Sequence, residues 1–233
     1  MGLDNRFLDS LPPEEIARLE PALRRHTLTR DQLIAETGHP VPHAVFPIDC
    51  VISVVAVMHD GRQIETRTIG RESGYGLLHA LGSRHSYERV TAQIGGEAWR
   101  LPIDTLAAAA AASPLLVRRI VQRAQATLVQ TAQSTACNSL HSAEQRLCRW
   151  LLLTRDRLSS EVLPLTQEHL SIMLGVQRTT VTAVASELQA SGAIAYSRGR
   201  ITVLDAEALQ RRSCECYEAI KDAAAELLRD GRD

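Results

Sequence analysis

Short polar side chains surround a single arginine in the segment TQEHLSIMLGVQRTTVTAVASEL, residues 166 to 188. Arginine presents a planar set of donors that suits bidentate contacts to guanine or phosphate. Threonine and serine add small hydroxyl groups, and the methyl groups of Thr179 or Ala183 can touch the methyl group of thymine. These residue types predict recognition of nucleic-acid bases, provided that the backbone presents them on one surface.

The apolar residues of the same segment predict the backbone that would present them. Counted from Gln167, they fall at the positions of a helix-turn-helix, in which two helices cross at a steep angle around a short turn. The clamping residues are Leu170, Leu174, Val176, Val181 and Val184. Gly175 lies at the turn, where glycine permits the left-handed conformation, and Thr166 is a natural N-cap residue for the first helix. The alternative is an ordinary corner between two helices of a bundle.

The stretch AIAYSRGRITVL, which follows Gly192, has two short strand-like runs around a turn at residues 197–200. It predicts a β-hairpin wing whose tip carries Arg198 and Arg200 beside the phosphate backbone. The second helix of the helix-turn-helix would enter the major groove by its N-terminal end, where backbone N–H groups meet phosphate. The candidate DNA-binding residues are Thr166, Gln167, Gln177, Arg178, Thr179, Thr180, Thr182, Ala183, Ser186, Arg198 and Arg200.

Upstream of this region, helix-forming residues dominate from Asp104 to Leu140, with one break at Ser113–Pro114. Proline is tolerated in a first helical turn, so a helix of about 26 residues is predicted to begin there. One apolar edge of this helix is a candidate dimer seam. It consists of Val117, Val121, Ala124 and Leu128. The alternative is simple burial of this edge within one domain. Ser142, three residues before Gln145, predicts a capping box at the start of the next helix.

The N-terminal part carries strand patterns, which dominate after position 44. Two β-rich runs flank Asp60–Gly61, a dipeptide typical of tight hairpin turns. Residues 63–68 alternate in a way that predicts a strand with one face, including Glu65, in water. Further strand-like pieces occupy residues 89–94 and 97–103. Many short strands with glycine turns predict an antiparallel β-roll or jelly roll.

Composition sets the outer bounds on function. The chain has 233 residues, a formal net charge of −1 and a pI near 6.7, which is not the profile of a generally basic nucleic-acid binder. Residues 142–204, however, hold seven arginines against five acids, a local charge of +2. No apolar run reaches the roughly eighteen residues of a membrane span, and the acidic N-terminus does not resemble a signal peptide. We therefore expect a cytoplasmic protein without a membrane partner.

The quoted segments resemble those of the Crp/Fnr family of bacterial transcription regulators. The resemblance is specific for TQEHLSIMLGVQRTTVTAVASELQASGAIAYSRGRITV and looser for VISVVAVMHDGRQIETRTIGRESGYG. It implies an α+β chain with a β-roll effector-like domain at 1–113, a dimerisation helix and hinge at 114–141, and a winged helix-turn-helix with a helical tail at 142–233. It also implies a homodimer on palindromic double-stranded DNA, with RNA polymerase as a partner. Thr179 and Ala183 stand where the best-known members have a glutamate and an arginine, so a different half-site is expected.

The ligand-binding residues depart from the family pattern. Members that bind cyclic AMP carry a glycine-glutamate-leucine segment and an arginine-serine pair, where this chain has Gly74-Tyr75-Gly76 and Arg89-Val90. Cyclic AMP is therefore not expected, because the carboxylate and the hydroxyl are both missing. Arg89 is instead a candidate for a salt bridge with Glu88 or Glu97. The effector-pocket candidates are Tyr75, Gly76, Arg89 and Val90.

No cofactor and no metal are predicted. The family's iron–sulfur cluster needs four thiolates, mostly near the N-terminus, and no cysteine precedes Cys50. Histidines that could ligate haem by residue type alone are His39, His43, His59, His79 and His85. Such histidines usually lie in solvated loops, so haem is not expected. Cys214 and Cys216, two apart on a predicted tail helix, are expected to point in different directions and to pack inertly.

Other classes of function remain as alternatives to a regulated DNA reader. An enzyme on a cupin-like barrel would need a His-x-His motif to hold a metal, and none occurs in the sequence; an enzyme is therefore not expected. A winged helix that binds a protein instead of DNA is compatible with the mild charge of residues 142–204. A constitutive DNA binder without an effector is the third alternative, favoured if Tyr75 and its neighbours fill the pocket.

Overall fold

A computed structural model describes residues 2–229 of the chain. Antiparallel strands dominate its N-terminal half and helices its C-terminal half, which confirms the predicted α+β class. The helices are α1 (Arg6–Asp9), α2 (Pro13–Leu19), α3 (Ile103–Ala112), α4 (Pro114–Leu140), α5 (Ala143–Leu158), α6 (Gln167–Leu174), α7 (Arg178–Ala190), α8 (Ala206–Arg212) and α9 (Cys216–Arg229). The strands are β1 (Arg24–Leu28), β2 (Leu33–Ala35), β3 (His43–Pro47), β4 (Val51–Val57), β5 (Gln63–Ile69), β6 (Arg89–Ile94), β7 (Gly96–Pro102), β8 (Val162–Leu163), β9 (Ile194–Ser197) and β10 (Arg200–Val203).

The N-terminal strands form two antiparallel sheets that share a core. One sheet has the strand order β1-β7-β3 and the other β2-β6-β4-β5. Val45 and Ala98 from the first sheet meet Ile52 and Val90 from the second in one buried cluster. The predicted β-roll is therefore confirmed, with β6 and β7 in the two stretches expected to be strands.

The predicted hairpin is the pair β4–β5, which turns through residues 58–62 with Gly61 at φ +83°. The expectation that the face of β5 with Glu65 lies in water is wrong, because Glu65 is buried. A register shift opposite Val54 and Val55 brings Thr68 to the same face as Glu65. Helix α5 covers both residues: Trp150 Nε1 donates to Glu65 Oε1 at 2.8 Å, and Arg157 Nη1 donates to Thr68 Oγ1. The polar face of this strand is therefore the surface on which the C-terminal region docks.

The long helix α4 begins at the predicted break. Ser113 separates it from the alanine-rich α3 and caps it, since its hydroxyl accepts a hydrogen bond from the Leu116 amide at 3.1 Å. The 27-residue helix buries Leu116 and Ile120 against the β-roll. On another edge, Leu128 keeps 70% of its surface exposed. The helix thus packs on its own domain along one edge and leaves a second edge open.

The C-terminal region starts with the predicted capping box. Ser142 Oγ accepts from the Gln145 amide, and Gln145 Oε1 accepts from the Ser142 amide. Helix α5 shares a core with α6, α7 and a three-stranded sheet of order β8-β10-β9. Strand β8 was not predicted, because two residues give no periodic signal. Helix α9 packs along α4. Within residues 2–229, no helix is long and apolar enough to cross a bilayer.

Candidate nucleic-acid interface

The helix-turn-helix begins at Thr166, whose hydroxyl accepts a hydrogen bond from the His169 amide and so caps α6. Helix α6 ends at Gly175, which adopts the left-handed conformation at φ +61° and donates to the Ile172 carbonyl. That conformation costs a residue with a Cβ atom about 1–2 kcal/mol. Glycine therefore lets the chain reverse over one residue, and the predicted cap and turn are both confirmed.

Helix α7 buries one face against α5 and α6. Of the predicted clamping residues, Leu170, Leu174 and Val181 are buried, and Val176 and Val184 pack against the same core. The clamp also includes three residues that were not predicted, namely Met173, Ala185 and Leu188. Ala185 and Leu188 follow Val181 at i+4 and i+7, so helical periodicity carried a signal that would have found them.

The opposite face of α7 carries the residues predicted to read bases. Those that are exposed are Gln177, Arg178, Thr179, Thr180, Thr182, Ala183 and Ser186. Thr182 Oγ1 and Ser186 Oγ donate to the carbonyls four residues earlier, at 2.9 and 2.8 Å. Each hydroxyl oxygen keeps accepting capacity for an outside donor. The face is therefore formed in the free chain and is rich in short hydrogen-bonding groups.

The first turn of α7 leaves its backbone donors without a side-chain cap. Gln177, the N-cap residue, makes no capping hydrogen bond. Open N–H groups at a helix N-terminus favour an anion such as phosphate. Arg178 comes next, with its Nε 3.4 Å from Gln167 Oε1 of α6. Gln167 and Thr166 are half-buried, so they form the edge of the surface and not its centre.

Strands β9 and β10 form the predicted wing. Arg198, at φ +49°, and Gly199, at φ +73°, make its two-residue turn, and both positive angles fit a type I′ hairpin. Arg198 and Arg200 are exposed. The wing lies beside α6, because a Cβ atom on Gly199 would be 3.4 Å from Thr166 Cγ2. The wing tip, the start of α6 and the open face of α7 therefore form one surface.

The arginines of this surface carry no internal counter-charge. Among residues 2–229, no carboxylate lies within 4.0 Å of the guanidinium groups of Arg178, Arg198 or Arg200. Arg155 of α5, by contrast, pairs with Glu161 at 2.7 Å. Unpaired guanidinium groups on one side of a winged helix suit phosphate and guanine.

Residues 145–212, from the first turn of α5 to the end of α8, match the family model of the Crp-like helix-turn-helix domain. The solved structure of FixK2 from Bradyrhizobium japonicum has the same fold, with a TM-score of 0.71 and 16% sequence identity over 82% of this chain and 98% of that chain. The C-terminal part of the chain therefore carries a Crp-like helix-turn-helix domain.

Two further solved structures share the fold of this chain. The c-di-GMP responsive global regulator CLP of Xanthomonas campestris has a TM-score of 0.66 and 15% identity, over 82% of this chain and 99% of that chain. A CRP-family transcriptional regulator from Thermus thermophilus has a TM-score of 0.67 and 20% identity, over 82% of this chain and 96% of that chain. No curated protein sequence matches the chain. Similarity at this level concerns the fold.

Three of the four effector-pocket candidates lie in the packed interior of the β-roll. Tyr75 is buried in the same cluster as Val90, and its hydroxyl donates to Ser86 Oγ at 2.9 Å. Burial raises the pKa of this phenol. Gly76, at φ +92°, lies against Ala44, since an added Cβ atom would be 2.9 Å from Ala44 Cα. The Tyr75 ring is thus part of the packed core between the two sheets.

Arg89, the fourth candidate, does not join this group. It precedes Val90 on β6 and lies on the other side of the sheet, where it lines a cleft with His169 and Met173 of α6. Its guanidinium donates twice to Glu36 Oε2, from Nε at 2.9 Å and from Nη2 at 2.7 Å. The arginine bonds lower the pKa of the Glu36 carboxyl. The expected salt bridge therefore exists, but its partner is Glu36 and not Glu88 or Glu97.

The candidate dimer seam is partly open in the single chain. Val121 and Leu128 are exposed to 44% and 70% of their surface, and Ala124 is half-buried. Val117 packs in part against the β-roll core. The seam therefore leaves its own domain after the first turns of α4, and its C-terminal portion is free to meet a second copy.

The expectation that the two tail cysteines point in different directions is wrong. Cys214 lies in the loop between α8 and α9, whereas Cys216 is the first residue of α9. Because Cys214 is not held to helical geometry, both thiols turn inward and form one buried cluster with Cys137 of α4.

Proposed function

We propose that this chain is a transcription regulator of the Crp/Fnr type that binds DNA as a homodimer on a palindromic site. Two copies paired along α4 place their α7 helices in successive major grooves, about 34 Å apart. The observation that carries the proposal is the open face of α7, where Arg178 and its neighbouring hydroxyls are exposed and Arg178 lacks a carboxylate partner among the described residues. The exposed edge at Val121 and Leu128 supports the pairing.

Each group on the interface has a distinct proposed role. Arg178 binds guanine through two hydrogen bonds, and Thr179 and Ala183 touch thymine methyl groups. Arg198 and Arg200 on the wing grip phosphate and carry no sequence information. The half-site consequently differs from one that is read by a glutamate and a second arginine at positions 179 and 183.

Control is proposed to act through the docking of the C-terminal region on the β-roll. The contacts of Trp150 with Glu65 and of Arg157 with Thr68 exist only in the docked arrangement. A signal that binds the docked and undocked arrangements unequally shifts the positions of the two α7 helices. Cyclic AMP is not proposed as that signal, because Tyr75 fills the β-roll interior and Arg89 is paired with Glu36. Constitutive binding, with RNA polymerase as the protein partner, is the alternative.

The test is an unbiased selection from random DNA duplexes with the purified full chain at low ionic strength. The expected product is a palindrome with two equal half-sites, and binding should weaken steeply with salt as counterions are released. If no duplex is enriched, the proposal fails. Thermal-shift screening with nucleotides and small metabolites then separates regulated from constitutive binding, since only a regulated protein gains stability from an effector.

A second candidate function, binding of a protein by the same winged helix, is favoured by the formal charge of −1 for the whole chain. Salt dependence distinguishes the two candidates. A protein contact at the α7 face involves few released counterions, so its affinity should change little across a salt range that abolishes DNA binding.

A further inference from the structure

Four side chains with metal-ligating atoms converge where α4 meets α9. Cys137 lies in the last turn of α4, and His141 is the residue that ends this helix. Cys214 and Cys216 lie immediately before and at the start of α9. One ligand atom from each of the four residues lies within 4.8 Å of all the others. Cys137 Sγ is 3.5 Å from Cys214 Sγ, and Cys216 Sγ is 3.5 Å from His141 Nδ1.

Two of these separations equal those of a tetrahedral zinc site, and the remaining ones are at most 4.8 Å. Bonds of about 2.3 Å to sulfur and about 2.0 Å to nitrogen place ligand atoms roughly 3.5–3.8 Å apart. Cys137 and His141 are four residues apart at the end of one helix, which brings them to the same face. The three cysteines are buried, and the His141 side chain is 15% exposed. A site of three thiolates and one imidazole that excludes water is of the closed, structural type.

The surroundings of the cluster fit the same chemistry. Gln133 Nε2 donates to Cys216 Sγ at 3.1 Å, which stabilises negative charge on that sulfur. His141 Nε2 lies 3.3 Å from Glu215 Oε2, so the carboxylate orients the ring and leaves Nδ1 toward the sulfurs. The guanidinium of Arg149 is buried, with no hydrogen-bond partner for its Nε, and adds positive charge near Cys137. That charge offsets the single negative charge of three thiolates around Zn²⁺.

We propose that Cys137, His141, Cys214 and Cys216 bind one zinc ion that clamps α9 to the end of α4. Binding forms three Zn–S bonds and one Zn–N bond, and the three thiol protons leave to solvent. Cys137 and Cys214 are 77 residues apart in the chain, and the segment between them contains the whole winged helix-turn-helix. The ion therefore holds the segment that follows the winged helix-turn-helix to the end of α4, the helix that precedes it. This proposal does not depend on the proposed DNA site.

Metal analysis of the full chain is the first test. The protein is purified with a reductant and dialysed against metal-free buffer, and about one zinc ion per chain is expected. Cys216→Ala should lower the bound zinc at least tenfold. Cys50→Ala is the matched control, because Cys50 is an equally buried free thiol in the β-roll, and its zinc content should equal that of the wild type.

Cobalt substitution of the wild-type chain keeps the proposal testable if Cys216→Ala does not fold. Chelator-stripped protein refilled with Co²⁺ should show the intense visible bands of tetrahedral cobalt together with a thiolate-to-cobalt charge-transfer band. A weak octahedral spectrum would overturn the proposal. So would a failure of the reduced wild-type chain to take up zinc, or an equal loss of zinc in Cys50→Ala and Cys216→Ala.

Discussion

Arg178 is exposed at the start of α7, with Gln167 as its hydrogen-bond neighbour and no carboxylate within 4.0 Å among the described residues. Arg178→Ala should cost about 1–3 kcal/mol of binding free energy and relax the preference at one base pair of each half-site. Arg178→Lys keeps the charge but not the bidentate geometry, so it should retain the salt dependence and lose the preference. Binding selection followed by titration measures both. If Arg178→Ala keeps the full sequence preference, a residue other than Arg178 recognises that base pair.

The wing arginines should behave differently from Arg178. Arg198→Ala or Arg200→Ala removes one phosphate contact, so affinity should fall by a similar factor on every duplex. The slope of log affinity against log salt should become shallower by about 1 for each substitution. Titrations on the selected site and on an unrelated duplex at several salt concentrations measure this. A change in base preference without a change in slope would contradict the phosphate role.

Glu65 is buried under α5 and accepts hydrogen bonds from Ser53, Gln93 and Trp150 at 2.6, 2.6 and 2.8 Å. Burial raises the pKa of this carboxyl despite those three donors. Because the pKa of Glu65 is raised in the folded state, the protonated side chain stabilises the fold fully at pH values below the pKa of an unfolded glutamate, about 4.3. This stabilisation is lost as the pH rises through the pKa of Glu65 in the folded state.

Glu65→Gln removes this titration. The wild type should lose free energy of unfolding as the pH rises above about 4.3, whereas the variant should not, so the difference between variant and wild type should increase in favour of the variant. Urea unfolding of both proteins at several pH values measures the difference. A difference that stays constant with pH would show that Glu65 does not titrate upon unfolding in this range. Glu65→Ala should instead destabilise the chain by about 1–3 kcal/mol, because its buried donors lose their acceptor.

At the scale of elements, the turn between α6 and α7 depends on one backbone conformation. Gly175→Ala should lower the free energy of unfolding by about 1–2 kcal/mol, because its φ of +61° is unfavourable for a residue with a Cβ atom. Gly175→Asn should cost less, since asparagine tolerates this region. Gly192→Ala is the matched control: its φ is +76° and no atom lies within 4 Å of an added Cβ.

Chemical denaturation compares these three variants. In Gly175→Ala the added Cβ atom would lie 3.1 Å from the terminal methyl of Ile64, which can move by a few tenths of an ångström. Gly175→Ala and Gly192→Ala should therefore cost nearly the same. A much larger cost at Gly175 would mean that Ile64 is held rigidly, and that the turn is also a docking point on β5.

Elements set by local rules were predictable from the sequence, and contacts between distant elements were not. The Ser142 cap, the start of α4 at Pro114 and the Gly175 turn each depend on a few neighbouring residues. The burial of Glu65 depends on Trp150, which is 85 residues away in the chain. The alternation of side chains along the strand carries no information on this contact, and it therefore predicted that Glu65 faces water. The cysteine cluster was missed for the same reason, because a helix end and a loop 77 residues later meet only in the folded chain.

At the scale of the whole molecule, α4 is shared between its own β-roll and the proposed second copy. Leu128→Glu should raise the dimer dissociation constant by at least about 100-fold, since each copy would bury an unpaired carboxylate at a cost of several kcal/mol. Leu204→Glu is the matched control, because Leu204 is 60% exposed and lies outside α4. Analytical ultracentrifugation gives the dimer constants, and DNA titration shows whether binding to the palindrome falls with dimerisation.

The two measurements together decide how α4 serves DNA reading. A monomer with an intact α7 face still binds half a palindrome, so Leu128→Glu should retain the base preference of a half-site while losing most of its affinity for the full site. If Leu128→Glu remains dimeric, the contact between the two copies lies elsewhere on α4. A monomeric variant with undiminished affinity for the full site would show instead that a single copy reads DNA, and that the exposed edge of α4 serves another contact.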